Sequence, residues 1–148
     1  MANYLLDTNH LSPLVTLSHP LRQRVLAALQ AEQTFAITVP VLVEMLFGIG
    51  VLPRAEQNQA EWQRLRPNFE CYLPDESDAK QAADLQIQLR RQGWQLATVD
   101  ALIAAVALRH NLTLLTRDKD FAAISLLKQE CDGSWRDDNE NENGYRMW

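Results

Sequence analysis

Short apolar runs alternate with segments of helical character along this chain, and that alternation limits the folds open to it. The runs that predict strands are residues 4–6, 35–39, 69–73 and 112–116. The segments that predict helices are residues 21–31, 40 to 48 or 50, 54–66, 75–91 and 99–110, the last with Thr98 as its N-cap. Strands that alternate with helices predict an α/β fold: a short parallel sheet sandwiched by helices.

Four carboxylates lie where these apolar segments end or turn. Asp7 follows the first predicted strand, and Asp118 follows the last. Glu44 and Asp100 are expected in the first turns of two helices, where the positive end of the helix dipole favours a carboxylate. Because ligands bind beyond the carboxyl ends of parallel strands, all four acids can converge on an acidic groove at that edge.

The position of these acids beside the core calls for a neutralising partner. Burying even one unpaired carboxylate costs several kcal/mol, and a hard divalent cation such as Mg²⁺ neutralises clustered oxygen ligands. Metal ions held in this way can clamp the attacking and leaving oxygens of a phosphoryl group. The four acids Asp7, Glu44, Asp100 and Asp118 are therefore the candidate metal ligands and catalytic residues.

Each acid also has a plainer interpretation. Asp7 could be a turn former or a helix N-cap, and Asp100 a helix-start carboxylate stabilised by the dipole. Asp118 lies in a polar turn where Asp120 competes with it for a ligand role, although Asp118 is closer to the strand end. Glu44 has only apolar neighbours, so its helix is expected to be buried all round, with a salt bridge to Arg117 as the alternative to a metal.

Three short polar side chains adjoin the acids in the sequence. Thr8, Asn9 and Thr116 could hydrogen-bond the carboxylates and orient them, with turn capping an equal alternative for Asn9. The cations Arg117, Lys119 and Arg109 are candidates for binding backbone phosphates, with ordinary surface charge as the alternative for each.

Composition divides the chain into a domain and a tail. The net charge of −5 argues against a general nucleic-acid binder with a broad basic face. The polar tail, residues 132–148, carries much of that charge and is expected to be flexible, which leaves residues 1–131 as one compact domain. We find no signal-peptide pattern and no apolar run of membrane-spanning length, and expect a cytoplasmic protein.

Four pieces of the sequence together resemble the PIN-domain nucleases, and especially the VapC-type toxins of toxin–antitoxin pairs. They are Leu5-Leu6-Asp7-Thr8-Asn9, the Val43-Glu44-Met45 helix with Gly48, Asp100-Ala101-Leu102-Ile103-Ala104-Ala105, and Leu115-Thr116-Arg117-Asp118-Lys119-Asp120-Phe121. The pieces occur in the family's order and span most of the chain. The first and third are fairly specific as a pair, whereas the glutamate alone is a weak signal.

The resemblance implies a Mg²⁺- or Mn²⁺-dependent endoribonuclease in which Asp7, Glu44 and Asp100 bind metal. Asp118 matches a fourth position that is Asp or Asn in relatives. The resemblance also implies a homodimer inhibited by a small cognate antitoxin protein that covers the acidic pocket. The acidic tail departs from the family's pattern and leaves its own role open.

Two other classes of protein remain as alternatives. A haloacid-dehalogenase-like phosphatase requires a second Asp two residues after the first, and that position is Asn9 here. A non-enzymatic receiver-like signalling domain requires adjacent acids at the first strand end and a Lys at the last strand end, where Thr116 and Arg117 stand.

Overall fold

The computed structural model of the protein describes residues 3–131, which form one five-stranded parallel sheet with helices around it. The strands are β1 (Tyr4–Leu6), β2 (Phe35–Thr38), β3 (Phe69–Tyr72), β4 (Thr113–Leu115) and β5 (Gln129–Glu130). The α-helices are α1 (Thr8–Leu11), α2 (Pro20–Gln30), α3 (Val39–Gly50), α4 (Ala55–Leu65), α5 (Glu76–Arg91) and α6 (Thr98–Arg109). Three short 3₁₀ helices cover Ser12–Val15, Arg66–Asn68 and Lys119–Ala123. The predicted α/β fold with a short parallel sheet is confirmed.

The order of the strands creates a crevice next to β1. The sheet runs β3-β2-β1-β4-β5, so the chain first moves outward from β1 on one side and then crosses to β4 on the other. In register, Leu6 lies opposite Leu115, and the residues that follow, Asp7 and Thr116, leave the same edge together. In open α/β sheets ligands bind where the strand order reverses, which here is between β1 and β4.

The core is built from the sheet and the helices that cover it. Leu5, Leu6 and Ile37 of the central strands are fully buried. Helix α6 contributes a nearly continuous buried set: Ala101, Ile103, Ala104, Ala105, Val106 and Ala107. Asp100 directly precedes this buried set and is itself half-buried near the start of α6.

Helix α3 differs from the expectation of burial on all sides. Val41, Met45 and Ile49 face the core, whereas Val43 and Phe47 are 62% and 71% exposed. Glu44 is exposed with that outer face, and it lies in the second turn of α3, so its predicted place in the first turn was wrong. The pattern of apolar residues was misleading because the outer face of α3 is apolar but is not covered by any other part of residues 3–131.

Three smaller features also differ from prediction. Thr98 is the first residue of α6 and Ala97 occupies the N-cap, so the predicted capping role of Thr98 was wrong; its hydroxyl accepts from Gln86 Nε2 at 3.2 Å. The turn after β1 contains α1, and a fifth strand, β5, follows the last 3₁₀ helix. These two elements are four and two residues long, too short for a periodic pattern.

The predicted flexible tail, residues 132–148, lies outside the described residues, so the domain boundary at residue 131 stays a prediction. Across residues 3–131, none of the helices has both the length and the apolar content needed to cross a bilayer.

Candidate active site

Asp7 is fixed at the carboxyl end of β1 by two hydrogen bonds. It is the N-cap of α1, and its Oδ1 accepts from the Thr8 backbone N–H at 2.8 Å. Its Oδ2 accepts from the Thr116 hydroxyl at 2.7 Å. The side chain is only 6% exposed, and this burial raises its pKa, with smaller contributions from the negative charges of Glu44 and Asp118. The carboxylate therefore serves as a cap and still presents a buried negative charge to the crevice.

Thr116 joins the ends of two neighbouring strands. While its hydroxyl donates to Asp7, the same oxygen accepts from the Asp118 backbone N–H at 3.0 Å. Thr116 thus ties the loop that carries Asp118 to the carboxylate at the end of β1. On the other side, the Thr8 hydroxyl donates to Glu44 Oε2 at 2.6 Å and connects the exposed acid of α3 to the same site.

Three further carboxylates meet at the start of α6. Asp100, Asp118 and Asp120 each present an oxygen, and these atoms lie within 4.8 Å of one another. Asp118 also caps the 3₁₀ helix Lys119–Ala123, because one of its oxygens accepts from the Asp120 N–H at 2.9 Å. The structure therefore brings both candidates for the fourth acid to the site, so Asp120 joins Asp118 in the proposed set.

The electrostatics of Asp100 reflect this crowding. Its pKa is raised from 3.8 to about 6, first by burial and then by the charges of Asp118, Asp7, Asp120 and Glu44. A group surrounded by like charges holds its own charge only at a cost, which a cation would relieve. Carboxylate oxygens are also the donors that Mg²⁺ and Mn²⁺ prefer, so the residues fit a hard divalent ion.

Asn9 has a different set of contacts from those predicted. Its Oδ1 accepts from the Arg117 backbone N–H at 3.2 Å and lies 2.8 Å from His10 Nδ1. It therefore holds the loop between β4 and Asp118, which supports its turn-capping alternative. His10 is fully buried, and burial together with the Arg117 charge lowers its pKa to about 3.

The three candidate phosphate-binding cations fall into two groups. Arg117 and Lys119 are exposed and flank Asp118 on the loop of the site. Arg109 is at the other end of α6 from Asp100, about 14 Å along the axis at 1.5 Å per residue. Its guanidinium contacts Asp78 at 2.8 and 2.9 Å and Asp75 at 3.5 Å, so the structure does not bring it to the acids.

Trp94 lies next to the site and was not predicted from the sequence. The indole Nε1 of Trp94 donates to the backbone carbonyl of Asp120 at 3.3 Å, although 26 residues separate the two. The signal in the sequence was an aromatic residue directly after Gly93 and shortly before Asp100. Sequence periodicity could not place it, because it lies in a connection between two helices.

Comparison with known proteins agrees with this arrangement. The family model of the PIN domain matches residues 4–127. The chain is 32% identical over 122 residues to "VapC ribonuclease Y4jK" of Sinorhizobium fredii, a match that covers 77% of this chain and 86% of that protein. It is 28% identical over 122 residues to "Ribonuclease VapC2" of Rickettsia felis, with 82% and 91% covered.

Solved structures share the fold. One chain of the crystal structure of VapBC2 from Rickettsia felis bound to a DNA fragment from their promoter superposes with a TM-score of 0.75 at 26% identity, covering 86% of this chain and 97% of that one. A chain of FitAcB from Neisseria gonorrhoeae gives a TM-score of 0.68 at 27% identity, with 85% and 95% covered. Because the PIN-domain model matches residues 4–127 and a VapC ribonuclease is 32% identical over 77% of this chain, the chain belongs to the PIN-domain family, in the branch of the VapC proteins.

Proposed function

We propose that this protein is an endoribonuclease, a hydrolase of RNA phosphodiester bonds, and the toxin of a toxin–antitoxin pair. The observation that carries the proposal is the cluster of Asp100, Asp118 and Asp120, whose oxygens lie within 4.8 Å of one another, with Asp7 and Glu44 near enough for their charges to raise the pKa of Asp100. The names of the relatives support it, since the proteins from Sinorhizobium fredii and Rickettsia felis are both VapC ribonucleases.

The cofactor we propose is Mg²⁺, with Mn²⁺ as a substitute. Asp7 and Asp100 would hold the ion, with Glu44, Asp118 and Asp120 bound directly or through water. Such an ion lowers the pKa of a bound water and neutralises charge on the phosphate. Its binding would also offset the burial and the neighbouring charges that raise the pKa of Asp100.

The protein's own residues set the geometry of the reaction. The Thr116 hydroxyl and the Thr8 N–H fix both oxygens of Asp7, so the carboxylate keeps one orientation while RNA binds. Glu44 is held from the α3 side by the Thr8 hydroxyl. Arg117 and Lys119 are exposed beside Asp118 and are placed to attract a phosphate toward an otherwise negative crevice.

The two alternative classes have less support. The strand order β3-β2-β1-β4-β5 differs from the order 2-1-3-4-5 of receiver-type sheets. In a phosphatase of the haloacid-dehalogenase type the second Asp would replace Asn9, and the Asn9 side chain is committed here to the Arg117 backbone and His10. Neither class accounts for acids contributed by both α3 and α6.

The proposed partners are RNA, a cognate antitoxin protein and a second copy of this chain. The titles of the similar structures describe VapBC2 and FitAcB, the first of them bound to promoter DNA. Helix α3 has an exposed apolar face, formed by Val43, Leu46 and Phe47, which either protein partner, the antitoxin or the second copy of this chain, could cover. With RNA as substrate, we expect the protein to act in the cytoplasm.

The test is RNA hydrolysis by the purified full chain. We expect total bacterial RNA to be cut in buffer with Mg²⁺ or Mn²⁺ and to stay intact in EDTA. Asp7→Asn and Asp100→Asn should each abolish cleavage because they remove a metal-binding charge while keeping the shape of the side chain. Gln57→Glu, on the exposed surface of α4, is the matched control and should cut normally.

The outcome of this test separates the alternatives. Cleavage that persists in EDTA, or in both Asn variants, would contradict a metal-dependent mechanism at this site. Release of phosphate from small phosphomonoesters without RNA cleavage would favour the phosphatase class.

A further inference from the structure

A second groove adjoins the acidic site on the side of α5. It has a volume of about 620 Å³ and is lined by Gln86, Ile87, Arg90, Gly93, Trp94, Gln95 and Leu96. Ile87 is 51% exposed and Trp94 is 40% exposed, so the lining combines apolar surface with the guanidinium of Arg90. Neither the sequence motifs nor the proposed hydrolysis uses these residues.

Trp94 connects this groove to the acids. Its ring lines the groove, and its Nε1 donates to the carbonyl of Asp120, whose carboxylate meets those of Asp100 and Asp118. One wall of the groove is therefore hydrogen-bonded to the backbone of a residue of the acidic cluster. If the scissile phosphate of an RNA lies at the acids, the neighbouring nucleotide could lie over the Trp94 indole.

The segment that carries Trp94 is held in place from several sides. Gly93 has φ of +79°, which turns the chain back on itself, and the Trp94 N–H donates to the Leu89 carbonyl at 2.9 Å. Gln86 Nε2 then donates to the Leu96 carbonyl at 3.0 Å and to the Thr98 hydroxyl at 3.2 Å. The exposed indole is thus part of a fixed surface, and a ligand would not have to pay an ordering cost for it.

The chemistry of the groove matches an unpaired nucleotide. An exposed aromatic face binds a base by stacking, and nearby arginines attract the phosphate backbone. Arg90 lines the groove, and Arg91 is exposed next to it at the end of α5. A duplex would not fit this arrangement, because its bases are already stacked on one another and closed to the indole.

We propose that this groove holds an unpaired base of the RNA substrate next to the scissile phosphate, with Trp94 as its stacking platform. The inference rests on the proposed function and deepens it: Trp94 would position single-stranded RNA at the acids and contribute to the choice of the cleaved sequence. It is a positioning residue, since it contacts no carboxylate through its ring.

The test compares Trp94→Ala, Trp94→Leu and Trp94→Phe in the full chain with Mg²⁺. All three lose the Nε1 hydrogen bond to Asp120, but only Phe keeps an aromatic face, so the comparison of Phe with Leu isolates stacking. Leu126→Ala is the matched control, because Leu126 is 78% exposed and lines a cavity with Arg109, at the far end of α6. The probe is a pool of short single-stranded RNAs of random sequence, whose products are sequenced.

The expected result has two parts. The Trp94→Ala and Trp94→Leu variants should have a kcat/KM about tenfold below wild type, mainly because KM rises, as expected for loss of one stacked base. The Trp94→Phe and Leu126→Ala variants should stay near the wild-type value. The base preference at one position beside the cut should flatten in the Ala and Leu variants alone. Because Trp94 is only 40% exposed, the Ala and Leu variants should melt somewhat lower than wild type and by similar amounts, so cleavage is measured well below their melting temperatures.

Three results would overturn the proposal. The first is wild-type kcat/KM and base preference in Trp94→Ala. The second is a Trp94→Leu variant whose kcat/KM and base preference equal those of Trp94→Phe, because the groove would then contribute only apolar contact and no stacking. The third is an Ala variant that cleaves normally but is no longer inhibited by the co-expressed partner protein, which would assign the groove to a protein. If the wild-type chain itself fails to cut RNA in Mg²⁺, the proposed function falls, and this inference falls with it.

Discussion

At the scale of single residues, burial and mutual repulsion disfavour the charged form of the acids at the site, and hydrogen bonds to the carboxylates favour it. Among these acids Asp100 has the most strongly raised pKa, about 6, because it is partly buried and has four acidic neighbours. Asp7 is more deeply buried than Asp100 but accepts two hydrogen bonds, which oppose the effect of burial on its pKa. The clustered negative charge therefore lowers the free energy of unfolding, and a bound cation would offset this.

The first prediction concerns stability without metal. Because the folded pKa of Asp100 is raised from 3.8 to about 6, the folded state keeps this proton when the unfolded chain has lost it. The contribution of Asp100 to stability should therefore fall as pH rises from about 4 to 6 and stay low above that; buried His10, whose pKa is lowered to about 3, contributes with the opposite sign, so the effect of Asp100 is measured as the difference between wild type and Asp100→Asn. In EDTA at pH 7.5, Asp100→Asn should melt about 3 °C higher than wild type, for roughly 1 kcal/mol after allowance for solvent screening.

Calorimetry at two pH values and with Mg²⁺ completes this measurement. The advantage of the Asn variant should shrink at pH 5, where the wild-type carboxyl is mostly protonated. Mg²⁺ should raise the melting temperature of wild type and leave that of the variant unchanged. An Asn variant that is less stable than wild type in EDTA would show that Asp100 is not a site of electrostatic strain.

The second prediction concerns Thr116. Thr116→Val removes the hydroxyl that donates to Asp7 Oδ2 and accepts from the Asp118 N–H, so the carboxylate loses its orientation. Mn²⁺ affinity should fall by about 10- to 100-fold, as measured by titration calorimetry. Thr116→Ser, which keeps the hydroxyl, should bind like wild type; if Ser and Val weaken binding equally, the hydrogen bonds are not the cause.

At the scale of elements, α5 and α6 are clamped together at the end away from the acids. Asp78, in the capping box of α5, is 1% exposed and receives two hydrogen bonds from Arg109 of α6. Arg109→Met would leave that buried carboxylate without its cation, at a cost of about 2 kcal/mol of unfolding free energy. Lys80→Met is the matched control, since its pair with Asp84 on the same helix is exposed.

Urea unfolding with a spectroscopic readout tests this third prediction. The Lys80 variant should stay within about 0.5 kcal/mol of wild type, as exposed pairs do. RNA cleavage by the Arg109 variant should persist below its melting temperature. Equal stability losses for both variants would mean that the burial of Asp78 does not depend on Arg109.

The elements also show what the sequence could reveal about the fold. The apolar runs located β1 to β4, and the helices predicted at residues 21–31 and 75–91 agree with α2 and α5 to within one residue at each end. The positions of Asp7 and Asp118 at strand ends followed from the sheet alone. Thr98 was misplaced, because the residue before it supplied an extended N-cap that needs no side chain.

Glu44 shows where periodicity fails. A run of apolar residues on α3 predicted burial, but the pattern is the same for a helix covered by its own chain and one covered by a partner. Tertiary contacts between connecting segments, such as the hydrogen bond from Trp94 to Asp120, left no signal at the spacing of a strand or helix. The sequence could therefore indicate the acids and not the surfaces around them.

At the scale of the whole molecule, the exposed apolar face of α3 predicts self-association. Phe47 is 71% exposed on this face, next to Val43, and a monomer would leave both in water. Sedimentation at micromolar concentration should give a dimer for wild type and a monomer for Phe47→Ser. Leu126→Ser, at an equally exposed apolar side chain elsewhere, should stay dimeric. A monomeric wild type would leave this face to another partner.

The whole account depends on distant acids meeting around a cation, and an anomalous-scattering experiment tests this most directly. Crystals of the full chain soaked in Mn²⁺ should give an anomalous peak between the carboxylates of Asp7 and Asp100, at about 2.0–2.3 Å from their oxygens. The peak should be lost in Asp100→Asn. A Mn²⁺ peak elsewhere in wild-type crystals, with none at these acids, would contradict the account.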